Sequence, residues 1–370
     1  MPALSRRSLV TGGLVTAAAL AQERAGAPRI GLVGLGNRGR RHLDALSEVG
    51  GAEVAALSDI QGDRMRAAAR GPASEAELYT DYRELIADRR VQAVVVAVPN
   101  YLHAEVAIAA MRAGKHVLVE KPIGITYEEA RRVAETARET GMVLSVGMQR
   151  YFNNNYRAII DAVRSGVIGA PHMFVLDEYR GDWNPRTWQW TDPDSGRSVP
   201  WRHRRSLAGS SLLEFSIHSY AFLYEMIDTP LTYCAATGGA VQWPERTTED
   251  NIAVIAEFGD IRLQHAFSCS APGARWNLTI TGASGSLQYD FRGMAIVRAQ
   301  GAAETNLLSE PTPAGQGSLE AQMYQDFFRA VRERDKPLLN AEFSIEASKI
   351  AYGAWLSIDE RRIVTDRDFL

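Results

Sequence analysis

The chain has 370 residues, 46% hydrophobic and 23% charged, with 41 basic side chains against 44 acidic and a net charge of −3. That balance offers no basic excess for nucleic acid or for an anionic membrane surface, so neither is an expected partner. The length exceeds the roughly 250–300 residues at which a single core stops growing, so two domains are expected.

The chain opens with Ser5-Arg6-Arg7-Ser8-Leu9-Val10, an uncharged stretch from Thr11 to Ala21, and the small-residue step Ala19-Leu20-Ala21. Charged start, short apolar run and small-residue cut are the parts of a secretory signal, and the paired arginines indicate the twin-arginine route. The run is too short to anchor in a bilayer. Residues 1–27 are therefore expected to be an export segment, read by the twin-arginine machinery and sending the protein to the periplasm or beyond.

From Arg29 short β-branched runs alternate with helical patterns. Strands are expected over Arg29–Val33, Glu53–Leu57, Ala93–Val98, His116–Val119 and Val143–Val146, with helices over Arg40–Val49, Glu105–Ala113 and Tyr127–Thr140. Such alternation predicts right-handed crossovers and a doubly wound parallel sheet, a Rossmann-type domain over 28–150. Gly34-x-Gly36-x-x-Gly39 follows the first strand and opens a helix, which is the context a dinucleotide fingerprint requires. Gly34 permits the tight turn, Gly36 close approach of the pyrophosphate, and Gly39 close packing of helix on strand. Asn37 and Arg38 lie at the helix N-terminus, where free N–H groups favour phosphate. Asp59, twenty positions beyond Gly39, stands where a carboxylate accepts from the adenosine ribose and repels a 2′-phosphate, favouring NAD over NADP. Arg64 lies nearby and leaves NADP as the lesser alternative. Pro99, Asn100 and His103 follow a strand end and should face the nucleotide, His103 touching ligand or capping the next helix.

The strand His116–Val119 runs into Glu120-Lys121-Pro122, placing Lys121 at the carboxyl edge of the sheet near the nicotinamide end, with a bond before Pro122 that can be cis. With the glycine loop, Asp59, Pro99-Asn100, His103 and Gly147-Met148-Gln149-Arg150, this tripeptide makes the chain resemble the Gfo/Idh/MocA oxidoreductases. Gln149 stands where that family often has Asn. The resemblance implies that Lys121 is a catalytic lysine bonded to the reacting hydroxyl. It also implies that Glu120, Lys121 and Gln149 join the cofactor site.

After Tyr151 the pattern changes to a helix over Asn155–Ser165 and longer alternating strands, His172–Glu178, Asn251–Phe258, Ile261–Ser268, Trp276–Thr281 and Ser286–Tyr289. These predict an α+β second domain, 151–370, around an open, mostly antiparallel sheet. The resemblance makes that sheet a wall of the substrate cleft and a surface for homo-oligomers. Ser309–Ser318 reads as a surface loop, and closing helices over Leu319–Arg334 and Glu342–Arg361 should pack back on the first domain. Cys234 and Cys269 fall in apparent strands and read as two buried free thiols.

Glu214 and His218 are four apart and, on a continuous helix, would share a face. Three chemistries fit the pair: a plain Glu–His contact, a zinc site lacking a third ligand at metal spacing, or acid–base work on a hydroxyl, with Glu214 orienting His218. The resemblance implies the last, without metal. Between Tyr179 and Arg205, Trp183, Arg186, Trp188, Trp190, Trp201, Arg202, His203, Arg204 and Arg205 interleave aromatics with forked donors. This suits a polyhydroxylated or anionic ligand, or forms an aromatic-pinned surface loop. Arg150, Trp183, Trp188, Trp201 and Arg202 are the candidate substrate contacts. The activity expected is hydride transfer between a sugar or polyol and a retained NAD, since an exported enzyme has no assumed nucleotide pool. That means a ping-pong exchange between two sugars or, alternatively, a redox-neutral glycoside hydrolysis or a non-catalytic sugar-binding protein.

Overall fold

Six short strands, β1 (Ile30–Val33), β2 (Val54–Ser58), β3 (Glu77–Tyr79), β4 (Ala93–Val96), β5 (His116–Glu120) and β6 (Leu144–Gly147), form one parallel sheet in the order β3-β2-β1-β4-β5-β6. They are drawn from a computed structural model describing residues 28–370, except 51, 182–188, 192–197, 272 and 309–316; for 189–191 and 198–199 it describes the backbone alone. The expected export segment, Trp183, Arg186, Trp188 and most of the Ser309–Ser318 loop lie outside the described residues. β1, β2 and β4 are buried along their whole length because helices cover both faces, which is why they read as unbroken apolar runs. The strand order reverses between β1 and β4, and that switch point opens a crevice at the carboxyl ends of the strands. β3 was not expected: it is three residues long, on the sheet edge and largely exposed, so it carries no apolar pattern.

The second sheet has nine strands: β7 (Pro171–Tyr179), β10 (Tyr233–Gly239), β11 (Asn251–Phe258), β12 (Ile261–Ser268), β13 (Arg275–Gly282), β14 (Gly285–Tyr289), β15 (Ala295–Ala299), β16 (Thr305–Asn306) and β17 (Val364–Thr365). β8 (Gln189–Thr191) and β9 (Ser198–Pro200) make a separate hairpin. Every pairing in the nine-stranded sheet is antiparallel except β7 with β12. Ile252, Val254, Ala256 and Phe258 of β11 point into the core while Ile255 is 58% exposed, so one face packs and the other stays open.

The helix Leu319–Glu333 lies against Asn37–Val49 of the first domain, and Ala341–Glu360 packs on Tyr127–Thr140 and β10. Cys234 and Cys269 are buried free thiols.

Candidate functional site

The glycine loop has the shape a pyrophosphate needs. A Cβ on Gly39 would lie 2.0 Å from the Gly34 carbonyl oxygen, so only glycine lets the helix Asn37–Val49 approach β1 so closely. A Cβ on Gly36 would meet nothing within 4 Å, leaving open space over the helix N-terminus. No side chain caps that terminus and its first turn carries no acidic residue, so its N–H groups remain for an anion. Asp59 accepts from the Leu35 N–H at 2.7 Å and the Gln61 N–H at 2.8 Å, which ties the end of β2 to the loop. Arg64 stands 3.9 Å away and is half-buried. These residues fit a dinucleotide: an open cradle, free N–H groups and a carboxylate at the ribose position. Asp59→Asn is expected to lower the NAD preference over NADP at least ~10-fold, because the repelling charge is gone while the side chain remains. Comparing kcat/KM for the two cofactors checks this; an unchanged ratio would count against the assignment.

Glu120 is only 4% exposed. Its carboxylate pairs with Arg38, whose Nε donates to it at 2.7 Å, and with His42 Nε2 at 3.0 Å. One oxygen of the carboxylate, Oε1, thus serves two side chains of the helix after the glycine loop, and through them Glu120 braces the cofactor cradle. Arg38 reaches on to Glu320 at 3.1 Å, and Tyr324 hydrogen-bonds His42 Nδ1 at 2.9 Å, so the returning helix is stitched to the loop. Burial raises the Glu120 carboxyl, but Arg38 and His42 outweigh it and hold the group far below the usual carboxylate range. Asn37 is exposed at the helix N-terminus.

The His103 ring sits between two carbonyls, its Nδ1 2.7 Å from that of Pro122 and its Nε2 2.9 Å from that of Val98; burial holds it below the ordinary histidine value, so its single N–H donates to one of the two. Pro99 precedes a short turn, Asn100–Leu102, and the Asn100 amide donates to the Ala208 carbonyl at 2.9 Å and Glu214 Oε2 at 3.1 Å. Asn100 thus joins the two domains through its side chain.

Lys121 leaves the end of β5 with a cis Lys121–Pro122 bond. It donates to the Glu214 carbonyl at 2.5 Å, and its Nζ lies 3.6 Å from Glu214 Oε1. The same carboxylate oxygen is 2.9 Å from Arg202 Nε. Burial pushes Lys121 below the ordinary lysine value; Glu214 opposes this and Arg202 reinforces it. Burial raises Glu214, yet Arg202 and Lys121 bring it below the usual carboxylate range.

The continuous helix expected through Glu214 and His218 is broken. One helix is Ser211–Glu214 and the next Ile217–Ile227, with Phe215 and Ser216 between. Glu214 therefore turns to Lys121, Arg202 and Asn100 and does not orient His218. His218 is 8% exposed; its Nδ1 is buried without a partner, and among the described residues no hydrogen bond reaches the ring. Burial, then Arg150, Lys121 and Arg180, push it well below the ordinary histidine value, so the ring is neutral.

Arg202 was expected to grip substrate; its pairing with Glu214 makes it part of the lysine's frame, with its guanidinium 4.5 Å from the Trp201 ring centre. Arg205 pairs with Glu249 and Asp359 and Arg204 is exposed, so neither joins the site. Gln149 and Arg150 open the segment leaving β6, with Gln149 Oε1 buried and unpartnered. Two site residues escaped the sequence reading: Arg180, just past β7, and Trp276 on β13. Both lie far along the chain from any motif, and an arginine at a strand end carries no signal by itself.

Residues 28–148 match the model of an oxidoreductase family with an NAD-binding Rossmann fold, and 156–288 match the Gfo/Idh/MocA C-terminal domain. The chain belongs to the Gfo/Idh/MocA oxidoreductase family. Among relatives, an inositol 2-dehydrogenase of Salmonella paratyphi B is 38% identical over 147 residues, 39% of this chain and 44% of the relative. A myo-inositol 2-dehydrogenase of Thermotoga maritima is 36% identical over 148 residues, 40% of this chain and 44% of the relative. The chain thus spans less than half the length of these curated relatives. Two solved members of the same fold are a levoglucosan dehydrogenase with NADH and levoglucosan, and the WlbA dehydrogenase of Bordetella pertussis with NADH and UDP-GlcNAcA. The first has TM-score 0.76 and 22% identity, covering 91% of this chain and 99% of its own; the second has TM-score 0.76 and 19% identity, covering 92% and 98%. This Gfo/Idh/MocA chain therefore combines the family's NAD-binding Rossmann domain with its second-domain sheet.

Proposed function

We propose that the protein is an NAD-dependent oxidoreductase acting on a hydroxyl carbon of a sugar or polyol. The observation that carries this reading is Lys121 and His218, one cationic donor and one neutral unpartnered imidazole, buried together beside the carboxyl edge of the Rossmann sheet. The bound nicotinamide would supply the hydride acceptor.

The chain's own residues handle the proton. Lys121 spends one donor on the Glu214 carbonyl and keeps others for the substrate oxygen. Glu214 and Arg202 hold the lysine in place. His218 offers nitrogens that no described protein group occupies, so its ring can take the hydroxyl proton. A group kept neutral through neutral pH is fit to act as base there. The sign follows from the lowered pKa: the ring charges only well below the ordinary value of 6.5. The kcat/KM profile is therefore expected to show no histidine limb between pH ~8 and ~6. His218→Asn should lower kcat by about 10²-fold or more. A His218→Asn variant turning over within a few-fold of wild type would remove the base role, and a wild-type fall centred near the ordinary histidine value, absent in the variant, would contradict the neutral ring.

We further propose, from the residues before Ala21, that the protein is exported through the twin-arginine route and retains its cofactor, closing its cycle by reducing a second sugar. The Gfo/Idh/MocA relationship and the open face of the second sheet support a homo-oligomer through that face. Protein purified from the exported fraction is expected to carry nucleotide detectable by absorbance and mass spectrometry; protein found in the cytoplasm and free of nucleotide would contradict export and retention together.

A further inference from the structure

Four cationic side chains converge where Ser211–Glu214 breaks from Ile217–Ile227. Lys121 and Arg180 donate to successive carbonyls, Glu214 at 2.5 Å and Phe215 at 3.1 Å. Arg202 pairs with the Glu214 carboxylate at 2.9 Å. Arg150 and Arg180 both lie over the Trp276 indole, 4.9 and 4.2 Å from its centre.

The carboxylates nearby do not match this charge. Glu214 is shared by Lys121 and Arg202, while Glu178, wholly buried, is taken by Arg180 at 2.7 Å. Glu120 is taken by Arg38 and His42. Arg150 meets the Tyr156 hydroxyl and the Trp276 ring, but among the described residues no carboxylate pairs with it, although its side chain is partly buried. A lysine can shed its charge on burial, but a guanidinium stays charged. Around it, His218 Nδ1, Gln149 Oε1 and Trp276 Nε1 are buried polar atoms without protein partners. Unpartnered polar atoms beside an uncompensated cation mark a place that a ligand completes.

We propose that the substrate is a sugar acid, a polyhydroxylated molecule whose carboxylate is held by Arg150 while its carbinol meets Lys121 and His218. The inference rests on the oxidoreductase reading above and names its substrate class. A carboxylate fits the guanidinium fork and supplies the negative charge that Arg150 lacks. A phosphate monoester, with three acceptor oxygens and a charge of about −1.5 to −2, asks for more donors than the Arg150 fork alone, and Arg180 is already engaged by Glu178 and a carbonyl.

The test uses the full-length protein with NAD and a panel of glucose, myo-inositol, glucuronate, galacturonate, gluconate and glucose 6-phosphate. The best acid is expected to exceed its neutral counterpart in kcat/KM by about 100-fold. Arg150→Gln should collapse that ratio at least ~10-fold, and Arg150→Lys should restore part of it. A neutral sugar or the phosphate ester outperforming the acids would overturn the proposal, as would an Arg150→Gln variant that lowers acid and neutral substrates equally. If no panel member reduces the nicotinamide, the oxidoreductase reading for these sugars falls. Calorimetry then decides the acid site separately. Glucuronate binding to NAD-loaded protein that Arg150→Gln abolishes supports it, and absence of binding refutes it.

Discussion

Lys121→Ala is expected to lower kcat/KM by about 10³-fold or more while the protein still binds NADH. A positioned proton-transfer group contributes about 10²–10⁴-fold, and the proposed mechanism sets Lys121 at the substrate oxygen. The loss should be catalytic because the neighbours can absorb the deletion. Glu214 keeps Arg202 at 2.9 Å and the Asn100 amide at 3.1 Å, so no buried carboxylate is stranded. Turnover and NADH titration on the same preparation separate the two effects. Turnover within a few-fold of wild type would remove Lys121 from the mechanism. Loss of NADH binding would instead assign it to cofactor capture.

Glu120→Ala should have the largest effect on stability. The substitution leaves Arg38 and the fully buried His42 without their shared partner, and removing one member of a buried ion pair costs about 3–5 kcal/mol. Because Arg38 sits in the first turn of the helix that faces the pyrophosphate, NADH affinity should fall as well. The pH dependence has a definite sign. The folded Glu120 carboxyl lies below its ordinary value of 4.5, so its contribution is complete above that value and is lost as pH falls through the acid range. Denaturant unfolding at neutral and acid pH checks this: wild type should lose stability on acidification, and Glu120→Ala should lose less. Equal losses would show that the carboxylate is not the linked group.

Much of the first domain is legible in the sequence because its strands are buried on both faces and its glycines have steric reasons. Gly39 has no room for a side chain, and the run Ala93–Val96 is wholly apolar. Among the elements that escaped are β3, three residues at an exposed edge; β15, five residues paired with β14; β16; and β17, two residues held by β10. In the site, the family resemblance pointed to Lys121 and His218, but their surroundings were not readable. A helical period was projected through Glu214 and His218, yet the chain breaks at Phe215-Ser216, where neither proline nor glycine signals a stop. Glu214 consequently serves the lysine rather than the histidine. The Arg38–Glu120–His42 cluster spans 82 residues of sequence, and Arg180 finds Trp276 only because β7 pairs with β13. Such contacts are products of topology, which a single sequence does not display.

The account turns on direct transfer of hydrogen from a substrate carbinol carbon to the nicotinamide at the Lys121–His218 site. Its most direct test is to give the NAD-loaded protein glucuronate and myo-inositol deuterated at their carbinol carbons, then to analyse the reduced cofactor by mass spectrometry. The account predicts deuterium in the nicotinamide ring with wild type and none formed with Lys121→Ala. Deuterium released to water, or label transfer undiminished in Lys121→Ala, would contradict it.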